Sequence, residues 1–165
     1  MFNSMQHLWA PWRADYISNP SHCGPDLFLN MVNENEDEKN HIVARRKSCF
    51  AILNAFPYNA GHTMVLPYRK VSDLDDLSEE EQLEFLKLII EVKNALKELY
   101  KAHGFNIGAN LGEAAGAGIA AHLHMHIVPR WKNDANFMTA IADTRVHPKD
   151  LQWVANQLRV KLSLA

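Results

Sequence analysis

The segment from Ala121 to Trp131 reads AHLHMHIVPRW and alternates histidine with apolar residues. Successive side chains of a β-strand point to opposite faces of its sheet. In a helix the same rings would spread over roughly 400° of rotation and share no surface. The alternation therefore predicts a strand with an imidazole face and an apolar face that packs on the core: His122, His124 and His126 against Leu123, Met125 and Ile127.

Four more segments are rich in β-forming residues. HIVARR and SCFAILN predict a hairpin, HTMVLPYR follows the turn residues PYNAG, and FNIGANL precedes the glycine-rich stretch before the histidines. Strands dominate the first half of the chain, and one long helix lies between later strands. This order favours an α+β fold with a mainly antiparallel sheet.

Two helices are predicted. Ser78 and Glu81 form a capping-box pattern at the start of the first, and Gly104 is the expected stop. Its apolar face repeats every three or four residues: Phe85, Ile89, Val92, Leu96 and Leu99. A shorter helix is expected after Pro148, with a second apolar set: Leu151, Val154, Ala155, Leu158 and Leu162.

Composition limits the class of protein. With 165 residues, 47% of them apolar and 22% charged, one globular domain is expected. A net charge of −2 favours neither nucleic acid nor a membrane surface as partner, and no segment is apolar enough to span a bilayer. The N-terminal residues do not resemble a secretory signal, and two cysteines make no disulfide framework, so a cytoplasmic location is expected.

The most polar stretch is NENEDEKNH, from Asn33 to His41. It predicts an exposed turn or a short disordered loop without a function of its own.

A row of imidazoles admits three interpretations: half-buried polar residues without chemistry, a metal site, or nucleophilic catalysis at phosphorus. The preceding loop, NLGEAAGAGIAAH, favours the third, because Gly112, Gly116 and Gly118 let backbone N–H groups approach an anion. Arg130, which follows the histidines, is expected to pair with an acidic group or a phosphate.

The run HLHMHIV resembles the signature of the histidine-triad family. LWAPWRADYI, ILNAFPYNAGHTMVLPYRKVSDL and NFMTAIADTRVHP are similar to its bacterial branch, which is related to fragile-histidine-triad hydrolases and diadenosine tetraphosphate phosphorylases. The resemblance implies an α+β fold of about five antiparallel strands with one long and one shorter helix, paired into a homodimer. Residues 1–40 would be an N-terminal extension and loop packed on a histidine-triad domain of residues 41–165.

The resemblance also implies roles for individual residues. His124 would attack the α-phosphorus of a nucleotide, and His126 would contact the transferred phosphate. His122 and His62 would support the nucleophile and its network. Asn54 would hold the ribose, Asn110 would lie near the phosphates, and the backbone of the loop residues would cradle them: Gly116, Ala117, Gly118 and Ile119.

Many bacterial relatives carry a structural zinc, held by a C-x-x-C pair, a histidine in YRHV and the first histidine of the triad. Here Cys23 lacks its partner cysteine and Lys70 replaces the YRHV histidine, so no structural zinc is expected. No cofactor is obligatory, although Mg²⁺ can accompany the nucleotide substrate.

Three functions remain open at this level. The first is cleavage of dinucleoside polyphosphates through a nucleotidyl-histidine intermediate, by hydrolysis or phosphorolysis. The second is hydrolysis of nucleoside phosphoramidates with the same residues. The third is a nucleotide-binding regulatory module with little turnover.

Overall fold

A computed structural model describes residues 24, 26–132, 134 and 150–163 of the chain. Three α-helices and five strands form in this part. The helices are α1 (Leu27–Asn33), α2 (Glu79–Tyr100) and α3 (Leu151–Ser163); the strands are β1 (Ile42–Arg45), β2 (Cys49–Leu53), β3 (Thr63–Pro67), β4 (Gly104–Gly108) and β5 (Met125–Arg130). Two short 3₁₀ helices, Leu74–Asp76 and Glu113–Ala115, lie in the connections.

The five strands make one antiparallel sheet in the order β1-β2-β3-β5-β4. The predicted hairpin of β1 and β2 is confirmed, and the α+β antiparallel fold is confirmed with it. Strand β5 lies between β3 and β4, so Met64 pairs with His126 and Gly108 pairs with His126 from the other side. The sheet therefore holds the third triad histidine from both neighbouring strands.

Helices α2 and α3 cover one face of the sheet. Helix α2 begins with the predicted capping box, in which Ser78 and Glu81 bond each other's backbone N–H, and it buries its predicted apolar face. Leu123, Ile127 and Met125 contact this core, as the alternating pattern predicts. Helix α3 buries the expected residues of its own apolar face: Val154, Ala155, Leu158 and Leu162.

The opposite face carries a second apolar cluster that includes Phe28, Phe50, Ile52 and Met64. Helix α1, which the sequence pattern did not predict, contributes Phe28 to this cluster. Thus a segment assigned to the N-terminal extension packs directly on the sheet, while the proposed division at residue 40 stays a prediction.

Two predicted boundaries are wrong. Strand β5 begins at Met125, so His122 and His124 precede it in irregular backbone. Helix α2 ends at Tyr100, where Lys101 adopts a left-handed conformation (φ 51°), and Gly104 instead opens β4. Long-range contacts explain the first difference, because the Leu123 N–H donates to the Val71 carbonyl at 2.6 Å rather than to a neighbouring strand.

The turn before β3 needs its glycine. Gly61 has φ of 76°, and a Cβ placed on it would lie 2.8 Å from Leu96 Cδ2 and 3.0 Å from Tyr100 Cε2. Both the backbone conformation and the close approach of α2 exclude a larger side chain. The turn that carries His62 is therefore pressed directly against the long helix.

In the described part of the chain, no helix combines the length and the hydropathy that crossing a membrane requires.

Candidate active site

A cavity of about 590 Å³ opens on the α1 side of the sheet. Seven of the ten predicted site residues line it: Asn54, Asn110, Gly116, Gly118, Ile119, His124 and His126. His62 and His122 are buried beside it, each 1% exposed, and Ala117 is not among its lining residues. Chain segments more than 60 residues apart thus meet at one site.

His124 has the tautomer of a nucleophile. Its Nδ1 lies 2.7 Å from the backbone carbonyl of His122, which can only accept, so Nδ1 carries the hydrogen. The lone pair is therefore on Nε2, and the ring lines the cavity although the residue is only 8% exposed. This arrangement selects the tautomer in which Nε2 is the nitrogen available for attack.

His62 and His126 form a directed hydrogen-bonded pair. The N–H of Tyr58 donates to His62 Nδ1 at 3.0 Å, so the hydrogen of His62 lies on Nε2. That Nε2 donates to His126 Nδ1 at 2.9 Å, which places the hydrogen of His126 on its own Nε2. His126 is thereby oriented as a hydrogen-bond donor at the cavity. Its ring centroid lies 5.1 Å from that of His124.

Burial keeps His62 neutral. Removal from water, reinforced by the nearby rings of His126 and His124, lowers the pKa of His62 from 6.5 to about 3. A neutral ring is what the directed pair requires, because a protonated His62 could not accept from Tyr58 at Nδ1.

His122 is buried beside the cavity and holds His124 in position through its backbone carbonyl. Its Nε2 donates to the Pro67 carbonyl at 2.8 Å, and its carbonyl holds His124. Burial lowers the pKa of His122, and the hydrogen bond to Pro67 partly opposes this effect. The edge of its ring meets Phe28, with 5.7 Å between ring centroids, and Phe28 also contacts His124.

The turn that carries Tyr58 is tied to the end of β5. Asn59 donates to the Pro129 carbonyl and to Asp134, both at 3.1 Å. Arg130 makes a two-pronged ion pair with the same carboxylate. The expectation that Arg130 pairs with an acidic group is thus met, and the pair holds the turn in place.

Asn54 and Asn110 both lie at the cavity but are partly engaged by the protein. The Asn54 side chain accepts from the Phe56 N–H at 2.9 Å and lies 3.3 Å from His62 Nδ1, so it also caps its turn. Asn110 donates to the Gly116 carbonyl at 3.4 Å. Contact of either residue with a nucleotide stays a prediction.

The glycine loop folds on itself before it reaches the triad. Gly116, with φ of 87°, donates its N–H to the Glu113 carbonyl at 2.9 Å, and the Ala117 N–H donates to Gly112 at 3.4 Å. These two amides already close the turn. We therefore expect a phosphate to meet Gly118 and Ile119 more readily than Gly116 and Ala117.

The described residues do not fit a zinc shell. No group of three histidine, cysteine, aspartate or glutamate side chains lies close enough for a metal within the segments that the structure describes. Lys70, in the position of the expected zinc-binding histidine, forms an ion pair with Asp26 instead. Cys23 lies outside the described residues, and the expected lack of structural zinc stays a prediction.

Three residues of the site were not anticipated from the sequence. The Tyr58 ring lies tilted against His62 with 4.7 Å between ring centroids, Phe28 packs against His124, and Asn40 lines the cavity. The first two are ordinary apolar positions in sequence. Asn40 lies in the polar stretch expected to be a loop without function, and only the fold brings it to the site.

The site therefore combines a cavity, a histidine with Nδ1 bonded to the backbone and a second histidine oriented by His62. The profile of the HIT domain matches residues 35–133. AP-4-A phosphorylase of Mycobacterium tuberculosis is 40% identical over 157 residues, covering 91% of this chain and 80% of that protein. Bis(5'-nucleosyl)-tetraphosphatase [asymmetrical] of Schizosaccharomyces pombe is 33% identical over 95 residues, covering 58% of this chain and 52% of that protein.

Among solved structures, a Zn-bound histidine triad family protein from Mycobacterium smegmatis superposes with a TM-score of 0.68 at 27% identity, covering 86% of this chain and 96% of that one. The chain therefore belongs to the HIT domain family. It is an enzyme of the histidine-triad type, a nucleotidyl hydrolase or transferase.

Proposed function

We propose that the chain cleaves dinucleoside polyphosphates of the diadenosine tetraphosphate type at the α-phosphate, through a covalent nucleotidyl-histidine. The observation that carries the proposal is the tautomer of His124, whose Nδ1–H is committed to the His122 carbonyl while Nε2 keeps its lone pair at the cavity. A protein that only bound nucleotides would have no need of a nucleophile prepared in this way.

In the first step, Nε2 of His124 donates its electron pair to the α-phosphorus, and a P–N bond forms. The bond between this phosphorus and the bridging oxygen breaks, and its electron pair leaves with the nucleoside polyphosphate. In the second step, an acceptor oxygen attacks the same phosphorus, the P–N bond breaks, and His124 recovers its lone pair. Water as acceptor releases one proton to the solvent and yields a nucleoside monophosphate, and an anionic oxygen of inorganic phosphate yields a nucleoside diphosphate.

His126 supplies the donor that this chemistry needs. Its Nε2–H, fixed by the His62 pair, is suited to bond a non-bridging phosphoryl oxygen as negative charge redistributes in the transition state. His62 does not meet the substrate in this scheme and acts as a positioning residue. Asn54 on the ribose and Gly118 and Ile119 near the phosphates complete the proposed contacts.

We favour phosphate as the acceptor. The likeness to AP-4-A phosphorylase covers most of both chains, whereas the asymmetrical tetraphosphatase is matched over about half of each. Hydrolysis by water remains the competing outcome for the same intermediate.

Product identification tests the proposal. Diadenosine tetraphosphate incubated with the enzyme and phosphate should give ADP and ATP, and omission of phosphate should abolish turnover. AMP and ATP without phosphate would establish hydrolysis instead. Intact substrate under both conditions, with nucleotide still bound, would overturn the assignment and support a binding module.

We propose that no metal is obligatory for this reaction and that Mg²⁺ acts only as a companion of the nucleotide. Elemental analysis of the purified chain should find far less than one zinc per chain. The buried free thiol of Cys49 suits a reducing compartment, and we propose that the enzyme acts in the cytoplasm.

We also propose a homodimer. Leu83, Leu86 and Ile90 form an exposed stripe on α2, with 55%, 54% and 45% of each residue accessible, and β4 lies at one edge of the sheet. A second copy can cover the stripe and extend the sheet. Sedimentation velocity should show a dimer that Leu86→Glu dissociates, while Val160→Glu on α3 leaves it intact; a monomeric wild-type protein would contradict this.

A further inference from the structure

The cavity extends along helix α1 away from the histidines. Phe28 contacts the His124 ring, and Met31 lies three residues further along α1, about 5 Å by helix rise. The Met31 carbonyl accepts from the side chain of Asn40 at 3.0 Å. Asn40 therefore contributes a polar side chain to the wall of the cavity near Met31, on the far side of Phe28 from the histidines.

The polar groups along the cavity lie in an order that matches the phosphate, ribose and base of a nucleotide. The triad lies at the phosphate, and Asn54, next along, is 3.3 Å from His62 and is proposed to hold the ribose. Leu53, beside Asn54, donates its N–H to the His41 carbonyl at 3.1 Å, which brings the 39–41 segment alongside. The base would then lie between apolar walls that end at Asn40: Leu27, Met31, Ile52, Leu53 and Ile119.

The orientation of the Asn40 amide is fixed by two acceptors. Nδ2 donates to the Met31 carbonyl at 3.0 Å and to Glu34 Oε2 at 2.9 Å, which uses both of its hydrogens. Among the described residues no donor reaches Oδ1. Since an amide is assigned from its hydrogen-bond network, this side chain presents only its acceptor oxygen.

Positive charge near this point is neutralised by neighbouring carboxylates. Lys39 forms ion pairs with Glu34 at 3.3 Å and Glu36 at 2.8 Å. His41, which also lines the cavity, has its pKa lowered by burial and by Arg159, and it is neutral near pH 7. Recognition here therefore depends on hydrogen bonding rather than on charge.

We infer that Asn40 Oδ1 selects the exocyclic amino group of a 6-aminopurine and discriminates against a 6-oxopurine. Adenine presents N–H donors at position 6, whereas guanine and hypoxanthine present an oxygen there. When the Asn40 Oδ1 faces the oxygen of a 6-oxopurine, neither acceptor receives a hydrogen bond. A site built to make that hydrogen bond therefore rejects the analogue that cannot make it. This inference depends on the proposed function for the placement of the nucleotide.

Binding of AMP and IMP, measured by calorimetry on the full chain, tests the inference without any turnover. The two ligands differ in the position-6 substituent and in the protonation of N1. We expect wild-type protein to prefer AMP by roughly 10-fold. Asn40→Ala should bring the ratio close to one, mainly by weakening AMP.

Two further variants complete the design. Asn33→Ala removes an exposed amide at the end of α1, outside the cavity, and should keep the wild-type ratio. Glu34→Leu removes one of the two acceptors that orient Asn40 and should give an intermediate ratio. Should Asn40→Ala fail to fold, Asn40→Ser serves in its place, because a hydroxyl can both donate and accept and should also abolish the preference.

The outcomes separate the inference from the function on which it depends. An unchanged AMP-to-IMP ratio in folded Asn40→Ala, or equal binding of both ligands by wild type, overturns the role of Asn40. A second outcome is that Asn40→Ala loses the AMP preference while wild type does not cleave diadenosine tetraphosphate. This result would support base selection by Asn40 and would overturn only the proposed enzyme reaction.

Discussion

The two faces of the sheet bury different kinds of side chain, and the cluster under α2 and α3 is the larger one. The face under α2 and α3 is filled by aliphatic side chains with Phe85, and the histidines lie outside that cluster. The α1 face combines an apolar cluster with buried or nearly buried imidazoles, among them His62, His122 and His124. Apolar burial stabilises a fold, whereas buried polar groups cost free energy unless they are bonded.

One segment serves both faces. Leu123, Met125 and Ile127 contact the helix-side core, while His124 and His126 line the cavity. The comparison teaches that stability and chemistry are separable in this chain even where they share a strand. Changes on the helix face should alter the free energy of unfolding, and changes on the cavity face should alter turnover and pH dependence.

The largest effect is expected for His124→Asn. Loss of the nucleophilic nitrogen should reduce kcat roughly 10³-fold or more, as removal of a covalent nucleophile does elsewhere. AMP affinity should be retained because the attacking nitrogen acts in the reaction rather than in binding, and the thermal midpoint should change little because asparagine is also polar and of similar size. Steady-state turnover, calorimetry and thermal melting measure the three quantities.

His103→Asn is the matched control, since this imidazole accepts from the Lys132 N–H and lies outside the cavity lining. Turnover of His124→Asn at the wild-type rate would remove the nucleophile from the scheme.

Next comes Leu158→Ala on α3. Leu158 is fully buried in the helix-side core, and its truncation should lower the free energy of unfolding by about 3 kcal/mol. Turnover per folded molecule should be unaffected. Denaturant titration measures the first quantity, and active-site titration normalises the second.

Val160→Ala, on the exposed side of the same helix, should change stability by less than about 0.5 kcal/mol. A kcat for Leu158→Ala as low as that of His124→Asn would show that the two faces are not separable.

A smaller effect is expected from the titration of His62. Its pKa is 6.5 when exposed and about 3 in the folded chain, so the unfolded state binds more protons between these values. The contribution of His62 is fully present above pH 6.5 and is lost as pH falls toward 3. Between pH 7.5 and pH 5 the loss should be about 2 kcal/mol.

Denaturant titrations at both pH values, on wild type and on His62→Asn, isolate this contribution. The variant should lose less stability on acidification than wild type, whereas Val160→Ala, which removes no titratable group, should respond to pH as wild type does. An equal pH response in wild type and His62→Asn would mean that His62 is not held neutral by the fold.

Local patterns predicted much of this molecule. Alternation placed Leu123, Met125 and Ile127 on the core, and the capping box set the start of α2. Local patterns failed for features that depend on tertiary contacts. The start of β5 depends on Leu123 bonding Val71, which is far away in sequence. The tautomers of the histidines depend on Tyr58, Pro67 and the His122 carbonyl, which no spacing reveals.

The polar stretch from Asn33 to His41 shows the same limit in a functional residue. Its composition is that of a solvated loop, and most of its side chains are exposed. Its order comes from partners elsewhere: Asp37 pairs with Arg45 and accepts, through its carbonyl, from Arg159. Only these ties bring Asn40 to the cavity, so sequence alone could not distinguish it from its neighbours.

The smallest effect is expected from Ser78→Ala at the start of α2. The Ser78 hydroxyl accepts from the Glu81 N–H at 3.3 Å, and loss of this cap should cost about 1 kcal/mol of unfolding free energy. Ser78→Thr keeps the acceptor and should recover most of the loss. Denaturant titration detects the difference, and turnover should be equal in all three proteins. A fall in turnover for Ser78→Ala, although this cap lies outside the cavity lining, would mean that α2 transmits strain to the histidines through the Gly61 turn pressed against it.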